Sequence, residues 1–155
     1  MILSAQSISD LCKGNMPLLS PFYERTEKDG TTFGLSPAGY DVRVEFRTGD
    51  RCIMSKGSFL LASTMEKFHI PNDVMGIVHD KSSWARLGLT VQNTVIEPGW
   101  FGYLTLELIN HGPKKITIMA GCGIAQIVFH KLDKRTIHPY AGKYQGQSRG
   151  PHGRI

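Results

Sequence analysis

The clearest strand signal in the chain lies in Tyr103-Leu104-Thr105-Leu106-Glu107-Leu108-Ile109, where every second residue is leucine. Successive side chains of a β-strand point to opposite faces, so this period predicts that the leucines lie on one face and pack in the core. Thr105 and Glu107 share the opposite, mixed face. Partial burial there raises the pKa of a carboxyl group. Glu107 is therefore a candidate general base, and the alternative is an exposed glutamate on a solvent-facing strand.

Similar short segments, rich in β-branched and aromatic residues, occur on both sides of this strand. Turn-forming residues separate them, as at Pro71-Asn72-Asp73 and Pro98-Gly99. The predicted strands are residues 40–46, 59–63, 67–70, 74–79, 89–91, 94–97, 102–110, 115–119 and 123–130. Many short strands at this spacing indicate an all-β sandwich or a closed barrel.

The two ends of the chain differ from this pattern. Residues 7–14 predict a short N-terminal helix that packs on the rest, with serines in front and Gly14 as the stop signal. Residues 16–32 contain proline and polar residues, so we expect an extended or looped connection. Residues 142–155 have almost no aliphatic side chains, a composition typical of a disordered tail.

Length and composition indicate an ordinary globular protein. The 155 residues, 41% hydrophobic and 20% charged, fit one domain with its own core. No apolar run is long enough to cross a bilayer, and the N-terminus lacks the features of a signal peptide, so we expect a cytoplasmic protein without a membrane partner. Cys12, Cys52 and Cys122 are widely spaced, which predicts buried reduced thiols rather than disulfides or a zinc site.

The net charge of +5 raises the question of nucleic acid, but the basic residues form no continuous stripe. One basic group lies in Lys81-Ser82-Ser83-Trp84-Ala85-Arg86, which we predict to be a single helical turn. Ammonium, guanidinium and hydroxyl groups are the side chains that bind phosphate, and a small polyanion explains them as well as DNA does. The alternative is a serine N-cap with Arg86 in a surface ion pair.

Several motifs carry a family resemblance, in order, from about residue 38 to residue 151. They are Ala38-Gly39-Tyr40-Asp41-Val42, Ser82-Ser83-Trp84-Ala85-Arg86-Leu87-Gly88, Glu97-Pro98-Gly99-Trp100, Leu104-Thr105-Leu106-Glu107-Leu108 and Lys143-Tyr144-Gln145-Gly146-Gln147. Together they resemble the dCTP deaminases of the trimeric dUTPase superfamily. The C-terminal motif is similar to the bifunctional branch, which combines dCTP deaminase and dUTPase activities.

The resemblance implies a distorted jelly-roll β-barrel with a short N-terminal helix and a flexible C-terminal lid. A single domain, 1–155, would comprise the helix and connection (1–35), the barrel (36–139) and the lid (140–155). It further implies a homotrimer with active sites between subunits and hydrolysis of dCTP to dUTP and ammonia, with continuation to dUMP and diphosphate left open. The alternatives are a dUTPase without deaminase activity and a non-catalytic nucleotide-sensing protein.

The same resemblance assigns roles to individual residues. The catalytic residues it implies are Glu107, Ser82 and Arg86. The substrate-binding residues it implies are Lys81, Ser82, Ser83, Arg86, Glu97, Thr105, Leu106, Glu107, Gln126, Tyr140, Lys143 and Gln147. Mg²⁺ would be held by the triphosphate rather than by protein side chains. The resemblance leaves open whether dUTP is a substrate besides dCTP and whether dTTP is an inhibitor.

Some residues depart from the family or have structural alternatives. Lys81 stands where the family usually has arginine, which keeps the charge but loses the bidentate fork. Glu97 stands where the family usually has aspartate. Gln126 has the alternative of a strand glutamine bonded to a neighbour. Trp84 and Trp100 are expected to pack rather than to stack on the base.

Zinc is not expected. None of the six histidines is followed two positions later by glutamate, and no Pro-Cys-x-x-Cys occurs, so the signature of zinc-dependent cytidine deaminases is absent. A carboxylate base is the remaining way to activate water for deamination, which again points to Glu107.

Overall fold

A computed structural model describes residues 1–28 and 30–153. Residue 29 of the expected connection and residues 154 and 155 of the expected lid lie outside the described residues. Within the described ranges the chain forms two short helices and twelve strands. These are α1 (Ala5–Leu11), β1 (Leu19–Ser20), β2 (Thr26–Lys28), β3 (Thr31–Ser36), β4 (Gly39–Glu45), β5 (Arg51–Met54), β6 (Phe59–His69), β7 (Val74–Asp80), α2 (Ser82–Ala85), β8 (Leu89–Val91), β9 (Val95–Ile96), β10 (Phe101–Asn110), β11 (Ile116–Met119) and β12 (Gly123–Lys131). The predicted all-β class is confirmed.

Ten strands form one curled antiparallel sheet with the central order β8-β10-β6-β4-β12-β7-β9. β1 pairs with β6, and the β2-β3 hairpin joins the sheet at β4. β4 connects the two halves, because its first residues pair with β3 and β12 and its last two pair with β6. β5 and β11 form a separate two-stranded ribbon. This order sets β10, which carries Glu107, between β6 and β8.

The core collects apolar side chains from nearly every strand. Tyr40, Phe68 and Phe129 are the largest fully buried side chains. Fully burying a large apolar side chain contributes about 1.5–3 kcal/mol. The fully buried Ile8 packs α1 onto this core, so the predicted helix is confirmed. It begins at Ala5, two residues earlier than expected, after Ser4 at the N-cap position.

The expectation of a connection over residues 16–32 is wrong in part, since β1 and β2 lie within it and β3 begins at Thr31. The three residues of β2 are all exposed, so no apolar alternation marks them in the sequence, and their pairing with β3 makes them a strand. β5 was not predicted. Residues 59–63 and 67–70, predicted as two strands, belong to the single strand β6.

A buried ion pair explains why β6 continues through polar residues. Glu66 is fully buried, and its Oε1 and Oε2 accept hydrogen bonds from Arg43 Nε at 2.7 Å and Arg43 N at 3.0 Å. Desolvation raises the pKa of Glu66, although the bonds from Arg43 oppose that rise. The Arg43 guanidinium also lies over the rings of Tyr23 and Phe33. The pair thereby ties β4, β6 and the N-terminal segment together.

No disulfide joins the cysteines, all of which lie in the described part of the chain. Cys122 is buried, whereas Cys12 and Cys52 are half-buried, so the expectation of three buried thiols holds for one of them only. Burial raises the pKa of Cys12 to about 11, which keeps its thiol protonated at neutral pH. Among the described helices, none is long and apolar enough to span a membrane.

Candidate active site

Glu107 lies in the wall of a cavity of about 370 Å³, which we call the Glu107 cavity. Its size suits a small ligand. The lining residues come from the β8–β9 connection, β9 and the turn after it, β10 and the C-terminal segment, which is defined here as residues 140–153. They are Thr94, Val95, Ile96, Glu97, Trp100, Leu104, Thr105, Glu107, Tyr140, Tyr144, Gln147 and His152.

The environment of Glu107 follows from its place on β10. Its neighbours Leu106 and Leu108 point into the core and are fully buried, which directs Glu107 to the other face. Glu107 is half-buried there. Desolvation raises the pKa of its carboxyl group, and a backbone hydrogen bond lowers it by less. The raised pKa expected from the sequence is confirmed in direction.

The alternation of β10 is interrupted, and Leu104 departs from its predicted position for that reason. The register with β6 shifts between Tyr103 and Thr105. Such an irregularity re-aims side chains locally. Leu104 is consequently half-buried and lines the Glu107 cavity together with Thr105, instead of joining Leu106 in the interior. The side chain of Leu106 does not line the cavity.

Thr105 connects β10 to the C-terminal segment. Its Oγ1 accepts one hydrogen bond from Gln147 Nε2 at 2.7 Å and another from His152 N at 3.1 Å. Both partners are donors, so the hydroxyl hydrogen of Thr105 remains available for an acceptor. Thr105 lies two residues from Glu107 in the same cavity wall, and a ligand there would meet a hydroxyl donor beside a carboxylate.

The described part of the C-terminal segment lies against β10 and is held there by hydrogen bonds. Gln147 O accepts from Tyr103 N at 3.0 Å, and Gln147 Nε2 donates to Tyr103 O at 2.8 Å. Trp100 Nε1 donates to Tyr144 O at 2.8 Å. Of the residues predicted to act in a lid, Tyr140 and Gln147 line the cavity, whereas Lys143 does not. The disordered tail suggested by composition is not what residues 140–153 form.

A second cavity, of about 300 Å³, contains Lys81 and is called the Lys81 cavity. Lys81 Nζ forms a buried ion pair with Asp41 and donates to Thr32 Oγ1 at 3.0 Å. Gln126 Nε2 donates to Asp41 Oδ1 at 3.2 Å and to Ser36 Oγ at 3.1 Å. Of its three donors, Lys81 therefore keeps one for a further anion. These bonds agree with the alternative given for Gln126 from the sequence, a strand glutamine bonded to neighbouring residues.

The single helical turn predicted around Ser82 is confirmed as α2. Its N-cap residue is Lys81, without a side-chain capping bond, so the alternative of a serine N-cap is wrong. Ser82, Ser83 and Arg86 are exposed. Within residues 1–28 and 30–153, Arg86 enters no ion pair. Trp84 Nε1 donates to Gly123 O at 2.8 Å and anchors α2 to β12, as expected of a packing residue.

Eight of the twelve predicted site residues form two groups in one chain, and the side chains that line neither cavity are Ser83, Arg86, Leu106 and Lys143. Glu97, Thr105, Glu107, Tyr140 and Gln147 line the Glu107 cavity, whose described lining includes no lysine or arginine. Lys81, Ser82 and Gln126 line the Lys81 cavity, and no residue lines both cavities. The first group offers a carboxylate among apolar side chains, and the second offers one cation, one hydroxyl and one amide.

Other lining residues of the Glu107 cavity were missed. Thr94 and Val95 lie just before the Glu97 turn, and their position next to that motif was the available signal. His152 lines the cavity because the C-terminal segment runs past it, and no local sequence pattern reveals where that segment runs. Among the described residues, no cluster of His, Cys, Asp or Glu is arranged to hold a metal ion.

Comparisons with known proteins identify the family of the chain. The family model described as dCTP deaminase-like matches residues 22–132. The dCTP deaminase of Anaplasma phagocytophilum (strain HZ) is 37% identical over 160 aligned positions, covering 84% of this chain and 86% of the relative. The dCTP deaminase of Acidithiobacillus ferrooxidans (strain ATCC 53993 / BNL-5-31) is 40% identical over 145 positions, covering 76% and 77%.

Solved structures share the fold. The 2'-deoxycytidine 5'-triphosphate deaminase of Agrobacterium tumefaciens superposes with a TM-score of 0.66 at 20% identity, covering 84% of this chain and 47% of that chain. The native EIAV dUTPase superposes with a TM-score of 0.58 at 22% identity, covering 81% and 98%. The expected jelly-roll barrel of the dUTPase type is confirmed by these likenesses.

Proposed function

The chain belongs to the dCTP deaminase-like family, and from this premise we propose that it hydrolyses dCTP to dUTP and ammonia. The observation that carries the proposal is Glu107, a half-buried carboxylate of raised pKa in the wall of the Glu107 cavity. A base of this kind holds a proton from water more readily than a solvated glutamate does. Relatives named dCTP deaminase support the same reaction.

In the proposed mechanism, Glu107 takes a proton from a water molecule while the water oxygen forms a bond to C4 of the cytosine ring. As that bond forms, the C4–N3 double bond becomes single and N3 takes up the proton. The remaining hydroxyl proton then passes through Glu107 to the amino group, the bond from C4 to the amino nitrogen breaks, and ammonia leaves a carbonyl at C4. Base catalysis supplies about a hundred- to ten-thousandfold in rate. Ser82 and Arg86 assist as donors that stabilise the charge developing in the intermediate.

The substrate is dCTP with Mg²⁺ on its triphosphate, so the metal arrives with the nucleotide. In this proposal the phosphates contact Lys81, Ser83 and Arg86, whose donors and charges suit them. The residues proposed around the sugar and base, and from the lid, are Glu97, Thr105, Leu106, Gln126, Tyr140, Lys143 and Gln147. Leu106 would contact the nucleotide through its backbone only, because its side chain is fully buried.

A homotrimer with sites between subunits is part of the proposal. The Glu107 cavity has no lysine or arginine in its described lining, whereas a triphosphate requires cations, and the cap residues of α2, the half-buried Lys81 and the exposed Arg86, lie elsewhere on the chain. A complete site is reached if α2 of one subunit meets the Glu107 cavity of another. We also propose that the protein is cytoplasmic.

We also propose that the enzyme can hydrolyse the dUTP it forms to dUMP and diphosphate. This proposal is supported by the resemblance of the C-terminal motif to the bifunctional branch and by Glu97 in the cavity beside Glu107. A dUTPase without deaminase activity leaves the role of Glu107 unexplained, because cleavage of the triphosphate needs no base at C4.

Two parallel assays test these alternatives. The purified protein is incubated with Mg²⁺ and either dCTP or dUTP, and both ammonia and diphosphate are measured. Ammonia from dCTP without diphosphate indicates a monofunctional deaminase, and both products indicate continuation to dUMP. Diphosphate from dUTP with no ammonia from dCTP would replace the proposal by dUTPase activity, and binding without product would indicate a nucleotide sensor.

A further inference from the structure

Arg149 of the C-terminal segment is bound to the barrel by a bidentate ion pair. Its Nε and Nη2 donate to the two carboxylate oxygens of Glu45 at 2.7 Å and 2.6 Å. Glu45 is the last residue of β4 and pairs with Ser63 of β6, so the strand ladder supports its position. The side chain of Glu45 is 23% exposed and that of Arg149 is 55% exposed. The parallel geometry is the one in which guanidinium and carboxylate bind most specifically.

The residues after Arg149 form a turn that brings the chain back to the cavity. Gly150 has a φ of +101°, a conformation that glycine adopts without strain. Ser148 Oγ lies 3.0 Å from His152 Nε2, and this contact closes the turn. Arg149 is inside this closed turn, so the Glu45 contact fixes the turn as a unit.

The turn ends at the Glu107 cavity. His152 lines that cavity, and its backbone N–H donates to Thr105 Oγ1 at 3.1 Å. Gln147, which precedes the turn, donates to the same oxygen. The ion pair therefore lies outside the cavity but holds the second of the two donors that orient Thr105.

We propose that Glu45 is a positioning residue, which binds Arg149 and so holds the C-terminal segment closed over the Glu107 cavity. The proposal rests on the proposed function, since the cavity is taken to receive the pyrimidine nucleotide. It assigns Glu45 no contact with the substrate. Its effect passes through Arg149 and His152 to Thr105.

The expected effect is moderate and falls mainly on substrate binding. Exposed ion pairs are weak and screened by salt, so loss of this pair should raise KM for dCTP about threefold to fivefold. The value of kcat should change less than twofold, because Glu107 and α2 are untouched. In 0.5 M salt, the wild-type KM should move toward that of the variant.

The experiment compares Glu45→Gln and Arg149→Gln with the wild-type protein. Glu27→Gln and Arg51→Gln are matched controls, since both residues are exposed and lie on other strands. KM and kcat are measured for dCTP, and hydrogen exchange is followed in peptides that cover residues 144–153. We expect both variants to raise KM and to accelerate exchange in these peptides, and the controls to do neither.

The charge-reversed pair provides the decisive arm. Glu45→Arg alone should raise KM and accelerate exchange, and adding Arg149→Glu should restore both toward wild type. Unchanged exchange and KM in Glu45→Gln, or no recovery in the double variant, would overturn the proposal. Hydrogen exchange does not depend on turnover, so a wild-type protein that releases no ammonia from dCTP would contradict the proposed function while exchange still tested the ion pair.

Discussion

At the scale of single residues, Glu107 combines a cost in stability with its proposed role as a base. Its half-buried position raises the pKa of the carboxyl group, which means that folding disfavours the charged form. The same desolvation makes the carboxylate a stronger base than a solvated one. A residue of this kind is expected to lower stability at neutral pH while supporting catalysis.

Replacement of Glu107 by glutamine tests both effects. We expect Glu107→Gln to lose about a hundredfold or more of deaminase activity, because the general base is removed. Binding of dCTP should persist, since glutamine keeps the size and hydrogen bonding. The melting temperature at pH 7 should rise, because an unfavourable buried charge is gone. The gain should disappear below about pH 4, where the wild-type carboxyl is protonated in both folded and unfolded chains.

Calorimetry at pH 7 and pH 4, with ammonia release and nucleotide binding at pH 7, measures these outcomes. Full activity would remove Glu107 from the mechanism. A lower melting temperature at pH 7 would show that the charge is better stabilised in the fold than its burial indicates.

The pH dependence of turnover is a separate prediction for the same residue. The base must be ionised, so kcat/KM, which reports groups of the free enzyme, should fall as the pH drops through the raised pKa of Glu107. The acidic limb should therefore lie above the ordinary glutamate value of about 4.3. Circular dichroism across the same range separates titration from unfolding. An acidic limb at or below the ordinary value, with the fold intact, would contradict a desolvated base.

At the scale of elements, the approach of the C-terminal segment to β10 depends on a glycine. Gly102 has a φ of +142°, and a β-carbon there would lie 2.7 Å from Gln147 N and 2.8 Å from Gln147 O. No side chain fits between the two backbones at that distance. The C-terminal segment therefore packs against β10 at Gly102, next to the register shift of this strand.

We expect Gly102→Ala to displace Gln147 from β10. Loss of its hydrogen bonds, each worth about 0.5–1.5 kcal/mol, should raise KM for dCTP about tenfold. Gly57→Ala is the matched control, because Gly57 also has a positive φ, +76°, but has nothing within 4 Å of an added β-carbon. Steady-state kinetics and hydrogen exchange of residues 144–153 measure the effect. If both variants changed KM and hydrogen exchange equally, the cause would be backbone strain at the glycine and not displacement of the C-terminal segment.

At the scale of the whole molecule, the candidate site is divided between two surfaces. The proposed base, Glu107, lies in the Glu107 cavity, and the exposed hydroxyls of α2 and the exposed Arg86 at its C-cap lie outside it. The proposed reaction on dCTP needs both groups, so the proposed homotrimer would complete the site. Closed symmetric assembly repeats the same contact around an axis and would complete every site at once.

Complementation between inactive variants tests this division. Glu107→Gln and Arg86→Ala are each expected to be inactive alone. Mixed trimers formed by co-expression should recover about a quarter of the sites, because random assembly pairs an intact base with an intact α2 at that frequency. Ammonia release from the mixture measures the recovery, with each variant mixed with itself as the control. No recovery from verified mixed trimers would mean that one chain supplies both groups.

Much of the fold was predictable because alternation and turn residues are local signals. β8 was predicted with its observed bounds, and β7, β10 and β12 differ by one residue at an end. β2 and β5 were missed because few of their side chains are buried, so their sequence carries little pattern. The polar middle of β6 was missed because its buried glutamate is satisfied by Arg43, which is distant in sequence.

The amino-acid order left the burial of Glu107 open, but it was sufficient for the all-β class, the helical turn at α2 and the face of β10 that carries Glu107. Each depends on the spacing of neighbouring residues. Tertiary structure decided that Lys81 pairs with Asp41, that Leu104 enters the cavity and that Arg149 reaches Glu45. These contacts join residues that local periodicity cannot relate, because strand register, a β-irregularity and the path of the chain bring them together only in the folded molecule.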